Sequence, residues 1–221
     1  MVVIPELLSA NEVAAFRDAL ASAKWIDGRA TAGYVSAAAK RNRQLDERDP
    51  LAVTLGHRVL EALERNTLFA AAALPRKIVP PLFNCYAGGE TYGDHVDGAI
   101  RPLVESFDRL RTDLSATLFL SHPQEYDGGE LVIQIGPGGI ERVRLPAGYL
   151  LLYPASFVHR VEPVRRGRRL ASFFWIESMI RSNEDRALLW DLQLAIGSLP
   201  EAHHPRLLGI YHALLRRWAL V

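Results

Sequence analysis

Between Lys77 and Ser178, short apolar runs alternate with glycine- and proline-containing turns. The stretches between are β-branched, aromatic and aliphatic: KIVPPLFNCY, SATLFLS, ELVIQIG, IERVRL, YLLLY, FVHRVEPV and RRLASFFWI. They are separated by AGGE, DGG, GPGG, PAG and RRGR. Short strands joined by tight turns predict an antiparallel sandwich or barrel, because parallel βαβ units need long crossover connections. Gly138-Gly139 and the turn around Gly167 suit hairpins.

The flanks follow a different period. Ser9 and Glu12 have capping-box spacing, and Val13, Phe16 and Leu20 recur at helical spacing, which predicts a helix from about Ala10 to Ala23. Asp49-Pro50 starts a second helix, with proline where its missing N–H costs nothing; Leu55, Val59 and Leu63 carry it to about Asn66. After Ser178, RSNEDRALLWDLQLAI and PRLLGIYHALLRRWAL are amphipathic on either side of a Gly/Ser/Pro break. The expected organisation is N-terminal helical support over 1–76, a β core over 77–178 and a helical extension over 179–221 too small to fold alone. The leucine-rich tail carries more apolar surface than two helices can bury between themselves. It is therefore expected to dock on the β core or to form a homodimer.

Of the 221 residues, 49% are hydrophobic, enough for a packed core. A formal net charge of +1 gives no field that would draw the chain to nucleic acid or an anionic membrane, so neither partner is expected. Cys85 is the single cysteine, which rules out an internal disulfide and a thiolate zinc cluster. Together with the absence of an export-type leader pattern and of a membrane-length apolar run, this predicts a cytoplasmic setting.

The chemistry concentrates in NCYAGGETYGDHVDG. Side chains alternate along an extended chain, so His95 and Asp97 project from one face. His159 lies in the apolar run FVHRVEPV, where an imidazole needs a partner. A core histidine bonded to backbone is one reading of it. Two histidines and a carboxylate from separate strands are also the facial ligand set of non-haem Fe(II) oxygenases, which leaves coordination positions open. Arg169 follows His159 by ten residues and shares a strand face with Ala171, Phe173 and Trp175. A strand pairing back across the RRGR turn would bring positions 159 and 169 into one cavity. A buried guanidinium demands an anion, and its planar fork binds a carboxylate through two hydrogen bonds. No nearby Asp or Glu lies on that face, so an anionic ligand is expected at Arg169. Arg165, Arg166 and Arg168 read as a solvated turn.

The combination of H-x-D, a distant histidine and a basic residue ten positions later resembles the Fe(II)/2-oxoglutarate-dependent dioxygenase superfamily. More closely, YAGGETYGDHVD, DLSATLFLSHPQEYDGGELVI and the stretch from PASFVHRV to RRLASFFWIES resemble the PKHD-type hydroxylases, relatives of the prolyl 4-hydroxylases. The resemblance spans nearly the whole chain, tail included. It implies a double-stranded β-helix (jelly-roll) core, mainly β with flanking helices, and a C-terminal helical extension. His95, Asp97 and His159 match the iron ligands, and Arg169 matches the residue that binds the distal carboxylate of 2-oxoglutarate, where prolyl hydroxylases usually carry lysine. Tyr86 matches a tyrosine that reaches the same carboxylate. Tyr92 falls at a substrate-side position and Trp175 at a cavity-lining tryptophan that serves equally as core; Ser115 or Thr117 is expected to add a hydroxyl to the pocket.

The implied reaction is hydroxylation of a C–H bond with release of succinate and CO2, with Fe(II) and 2-oxoglutarate required and L-ascorbate assisting. The substrate is left between a prolyl-containing protein and a small metabolite, with a link to iron homeostasis implied by relatives. Two other readings of the ligands stand beside this one. A cupin-like metal-dependent isomerase or hydrolase leaves Arg169 without a reason, and a non-catalytic metal-binding module would use the tail as its contact surface.

Overall fold

A computed structural model describes residues 1–31, 37–102 and 108–220. All strand pairings among these residues are antiparallel. The larger sheet runs in the order β1 (Val2–Ile4), β14 (Leu150–Pro154), β10 (Leu114–Phe119), β17 (Arg168–Ser178), β6 (Leu82–Ala87), β4 (Arg43–Gln44), β2 (Ile26–Asp27), with β5 (Pro75–Ile78) also pairing β17. The smaller sheet runs β13 (Ile140–Val143), β12 (Leu131–Gln134), β15 (His159–Val161), β7 (Thr91–His95), β3 (Lys40–Arg41). Two short pairs complete the set: β11 (Asp127–Gly128) with β16 (Val164–Arg166), and β8 (Ile100–Pro102) with β9 (Arg109–Arg111). This is the expected jelly-roll core with flanking helices.

Period-two alternation decides which residues meet the helices and which meet the second sheet. Phe83 of β6, Leu114, Ala116 and Leu118 of β10, Leu150 and Leu152 of β14, and Phe174 and Ile176 of β17 pack into one core. That core is closed by α1 (Ala10–Ala21), α2 (Pro50–Glu64) and α3 (Thr67–Ala73), through residues such as Phe16, Val59 and Phe69. The alternate residues Tyr86, Phe119, Leu151 and Tyr153 turn inward and join Leu131, Ile133 and Val161 of the smaller sheet. Both faces of the larger sheet are thus buried, and each fully buried Leu or Phe contributes about 1.5–3 kcal/mol.

The caps follow from the sequence. Ser9 and Glu12 form the reciprocal capping box of α1, and Asp49 caps α2 with Pro50 in its first turn. α3 was not anticipated; Asn66 caps it and Leu74 ends it in the left-handed region. The first 76 residues are also more than helical support, because β1 and β4 join the larger sheet and β3 the smaller. Lys40, Arg41, Arg43 and Gln44 show no apolar alternation, so register alone makes them strands.

A second correction concerns the turn at Gly167. The strands carrying His159 and Arg169 do not pair with each other: β15 pairs β12 and β7, whereas β17 pairs β10, β6 and β5. Gly167, with φ +74°, carries the chain from β16 into the opposite sheet, and a Cβ there would lie 1.9 Å from the Glu125 carbonyl oxygen. Positions 159 and 169 therefore meet across the space between sheets, not along a hairpin.

The tail forms α4 (Asn183–Ser198) and α5 (His204–Trp218). Leu189, Ile196 and Tyr211 pack with Leu74 and Ile180, and backbone bonds from Met179 N to Leu74 O and from Leu220 N to Met179 O tie the tail down. Leu188, Leu194 and Ile210 stay exposed.

Candidate metal and anion site

His95 ends β7 and faces His159 directly across the β7–β15 pair, and the register slips by one residue between that pair and Val161–Tyr92. The bulge lets both rings turn to the same side, with centroids 4.2 Å apart. Asp97 lies two residues past His95, and its Oδ2 sits 3.7 Å from His159 Nε2. One ligand atom from each of His95, Asp97 and His159 lies within 4.8 Å of the others.

Hydrogen bonds orient all three groups. His95 Nδ1 is 2.8 Å from the Gly93 carbonyl and His159 Nδ1 is 3.0 Å from the Phe157 carbonyl. A carbonyl only accepts, so Nδ1 carries the proton and the Nε2 lone pairs are free to coordinate, the tautomer that metal-binding histidines adopt. The Ser115 hydroxyl donates to Asp97 Oδ2 at 2.5 Å, fixing the carboxylate. Tyr92 stacks on the His95 ring at 3.5 Å, and Tyr153 meets His159 edge-on at 5.1 Å. Burial, and then the neighbouring His159, hold the His95 imidazolium down to about 4, so the ring is neutral near pH 7. Two imidazoles and one carboxylate with a shared focus fit a divalent transition metal of intermediate softness.

Arg169 stands opposite Tyr86 in the β17–β6 pair and is 1% exposed. Its guanidinium carbon lies 5.6 Å from the Tyr86 ring and 5.3 Å from the Phe119 ring. Nε has no hydrogen-bond partner among the described residues. Arg165, Arg166 and Arg168 are exposed, so the turn separates three solvated arginines from a buried one. Gly129, with φ +67°, makes room for it: a Cβ there would sit 3.1 Å from Arg169 Cδ and 2.8 Å from Val164 Cγ2. Burial pushes the Tyr86 phenol above its ordinary range, against the opposing charge of Arg169, so the hydroxyl remains a donor. An orphaned, buried guanidinium beside a neutral phenol fits a ligand carboxylate.

All nine residues singled out in the sequence line one cavity of about 340 Å³: His95, Asp97, His159, Arg169, Tyr86, Tyr92, Ser115, Thr117 and Trp175. Asp94 turns outward to Arg160 at 3.1 Å, Cys85 is buried on the other face of β6, and His203 is exposed. Sequence reasoning missed Lys40, Asn84, Arg101 and Tyr153, which line the same cavity. Arg101 stacks over Trp175 at 4.3 Å and pairs with Glu47 at 2.7 Å. Tyr153 was legible in principle, because it shares a strand face with Leu151, opposite Leu150 and Leu152, and is the one residue of that face with a polar tip. Lys40 carried no such signal.

Residues 81–177 match the 2OG-Fe(II) oxygenase superfamily. Across its length the chain is 52% identical to a PKHD-type hydroxylase of Paraburkholderia phymatum, covering 99% of each chain. The chain belongs to the PKHD-type hydroxylases within that superfamily, and it is an oxidoreductase of the dioxygenase class. Among solved structures its fold is similar to a prolyl hydroxylase of Trichoplax adhaerens in complex with a peptide fragment of hypoxia inducible factor (TM-score 0.58, 16% identity, 85% of this chain and 86% of that one). It is also similar to HygX of Streptomyces hygroscopicus with nickel, 2-oxoglutarate and hygromycin B bound (TM-score 0.54, 16% identity, 80% and 82%).

Proposed function

We propose that His95, Asp97 and His159 hold the Fe(II) of this dioxygenase and that Arg169, with Tyr86, holds the distal carboxylate of 2-oxoglutarate. The observation that carries the reading is Arg169, a buried guanidinium with an unpartnered Nε that opens on the same cavity as the three-ligand cluster. A metal isomerase or hydrolase would use the cluster and leave this cation without a counter-ion at a burial where that is costly. With metal and co-substrate bound, the site would couple oxidative decarboxylation of 2-oxoglutarate by O2, giving succinate and CO2, to hydroxylation of a substrate C–H bond, one oxygen atom entering succinate and the other the substrate.

The chain's own residues do the positioning. The Gly93 and Phe157 carbonyls hold the imidazole tautomers, Ser115 holds the Asp97 carboxylate, and the Tyr86, Phe119 and Tyr153 rings keep water from the guanidinium. Tyr92, Thr117 and Trp175 complete the wall on which a substrate rests. L-ascorbate is assigned the role of restoring iron oxidised in uncoupled turnover. The setting is read as cytoplasmic; no helix among the described residues is long and apolar enough to cross a membrane. Residues 77–178 are read as the catalytic core between the 1–76 support and the 179–221 extension. The exposed Leu188, Leu194 and Ile210 support a homodimer through the tail, which sedimentation would detect as a doubled mass. The substrate is a prolyl-containing protein or a small metabolite; the two similar folds described above carry one of each kind, a peptide and hygromycin B.

The test is Fe(II)-dependent release of succinate from 2-oxoglutarate by the purified protein. Uncoupled release that needs Fe(II), and that in Arg169→Ala requires at least tenfold more 2-oxoglutarate, is the expected result. No release with any added metal, alongside retained metal binding, would favour the isomerase or hydrolase.

A further inference from the structure

The cavity has a second polar wall that the iron and co-substrate assignments leave unused. Lys40 is directly across β3–β7 from Tyr92 and is 4% exposed. Its Nζ lies 5.2 Å from the Tyr92 ring centroid and 5.8 Å from that of Phe173. Tyr92 also stacks on His95, so one aromatic ring contacts both Lys40 and the metal cluster. Lys40 Nζ donates to Gln44 Oε1, and Gln44 sits opposite Asn84 in the β4–β6 pair. Asn84 shares a strand face with Tyr86, about 7 Å along the backbone. It is 8% exposed, lines the cavity, and its Oδ1 has no hydrogen-bond partner among the described residues.

This wall offers two complementary things, a buried cation and an acceptor oxygen waiting for a donor. Burial, and then the charge of Arg101, bring the Lys40 ammonium down to about 8 against the opposing pull of Asp97, Asp27 and Glu47, so at neutral pH it remains a cation. The rings of Tyr92, Phe173 and Trp175 supply apolar surface around it. An internal prolyl segment offers no carboxylate to such a wall.

We propose that Lys40 and Asn84 form the substrate subsite, and that the substrate is a small molecule carrying a carboxylate beside an N–H donor, as in an N-acyl amino acid. Lys40 takes the carboxylate, Asn84 Oδ1 accepts from the N–H, and the aromatic wall takes the apolar side chain. The proposal rests on the co-substrate reading given above, because Arg169 must be occupied by 2-oxoglutarate for a second carboxylate to select Lys40.

The test uses the full chain, loaded anaerobically with Fe(II) and saturating 2-oxoglutarate, and two probes of the same shape, one with a carboxylate and one with a neutral amide: N-acetylleucine and N-acetylleucinamide. Binding is read from tryptophan fluorescence, since Trp175 lines the cavity, and 2-oxoglutarate affinity is measured separately for every variant. The carboxylate probe should bind at least tenfold more tightly than the amide. Lys40→Met should erase that preference, Lys40→Arg should keep most of it, and Asn84→Leu should weaken both probes at least threefold without changing their ratio. Equal binding of the two probes, or no binding of either, overturns the proposal, as does a preference that survives Lys40→Met. An Asn84→Leu protein that binds both probes as the wild type does overturns the two-residue subsite. If Lys40→Met instead weakens 2-oxoglutarate, Lys40 belongs to the co-substrate and the proposal fails. A wild type that takes up no 2-oxoglutarate overturns the co-substrate reading, and this proposal with it.

Discussion

The two ends of the cavity are built in opposite ways. The metal end sits at the margin of the smaller sheet, where a bulge turns His95 and His159 inward and Asp97 lies beyond the end of β7. The arginine end lies in the interior of the larger sheet, with Arg169 opposite Tyr86 and a glycine required at position 129 to leave space for it. At the first end the donors are two imidazole rings aligned by backbone carbonyls and one carboxylate held by Ser115. At the second, a permanent cation is buried with its Nε unpartnered. The lesson is that the metal end can lose a ligand with little damage to the fold, whereas the arginine end is part of the core itself.

The contrast breaks first at His159. His159→Ala should abolish Fe(II) uptake and all turnover while costing little stability, because the ring lies at the edge of the cavity and not within the helix-covered core. Anaerobic Fe(II) titration with parallel thermal melts checks this, and wild-type affinity in the variant would contradict the ligand assignment. Arg169→Ala should act differently, leaving Fe(II) binding intact while raising the KM for 2-oxoglutarate at least tenfold. Removing one partner of a buried charged pair costs roughly 2–5 kcal/mol. An unchanged KM would put the anion elsewhere.

Gly129→Ala sharpens the comparison with a smaller effect. An alanine held in the left-handed region costs on the order of 1–3 kcal/mol, and its Cβ would press on Val164 and Arg169 Cδ. The melting temperature should fall by several degrees and the KM for 2-oxoglutarate should rise, by less than in Arg169→Ala, with Fe(II) affinity unchanged. A drop in Fe(II) affinity instead would mean that the two ends are mechanically one.

Legibility in the sequence followed the same divide between local pattern and long-range register. The strands of the core were readable because turns and β-branched runs alternate locally, and α1 and α2 because Ser9, Glu12, Asp49 and Pro50 are local signals. His95 and Asp97 share a face through period two alone, and Arg169 stood out as one charge at the start of an apolar strand face. Lys40, Asn42 and Gln44 were invisible, since they are buried polar residues alternating with Arg41 and Arg43. Only pairing of β3 with β7 and of β4 with β6 turns that polar stretch into cavity wall. The hairpin expected to join 159 to 169 failed for the same reason: sequence distance across Gly167 says nothing about which sheet receives the next strand.

The account rests on one claim, that metal and 2-oxoglutarate occupy the two ends of a single cavity. Anaerobic titration of 2-oxoglutarate into the Fe(II)-loaded protein tests it directly, because bidentate binding of the keto acid to ferrous iron gives a visible charge-transfer absorption. Wild type should develop that absorption to one equivalent, His159→Ala should show none, and Arg169→Ala should reach it only at concentrations at least tenfold higher. An absorption that saturates at the same concentration with and without the Arg169 guanidinium, or that never forms in the wild type, would contradict the account.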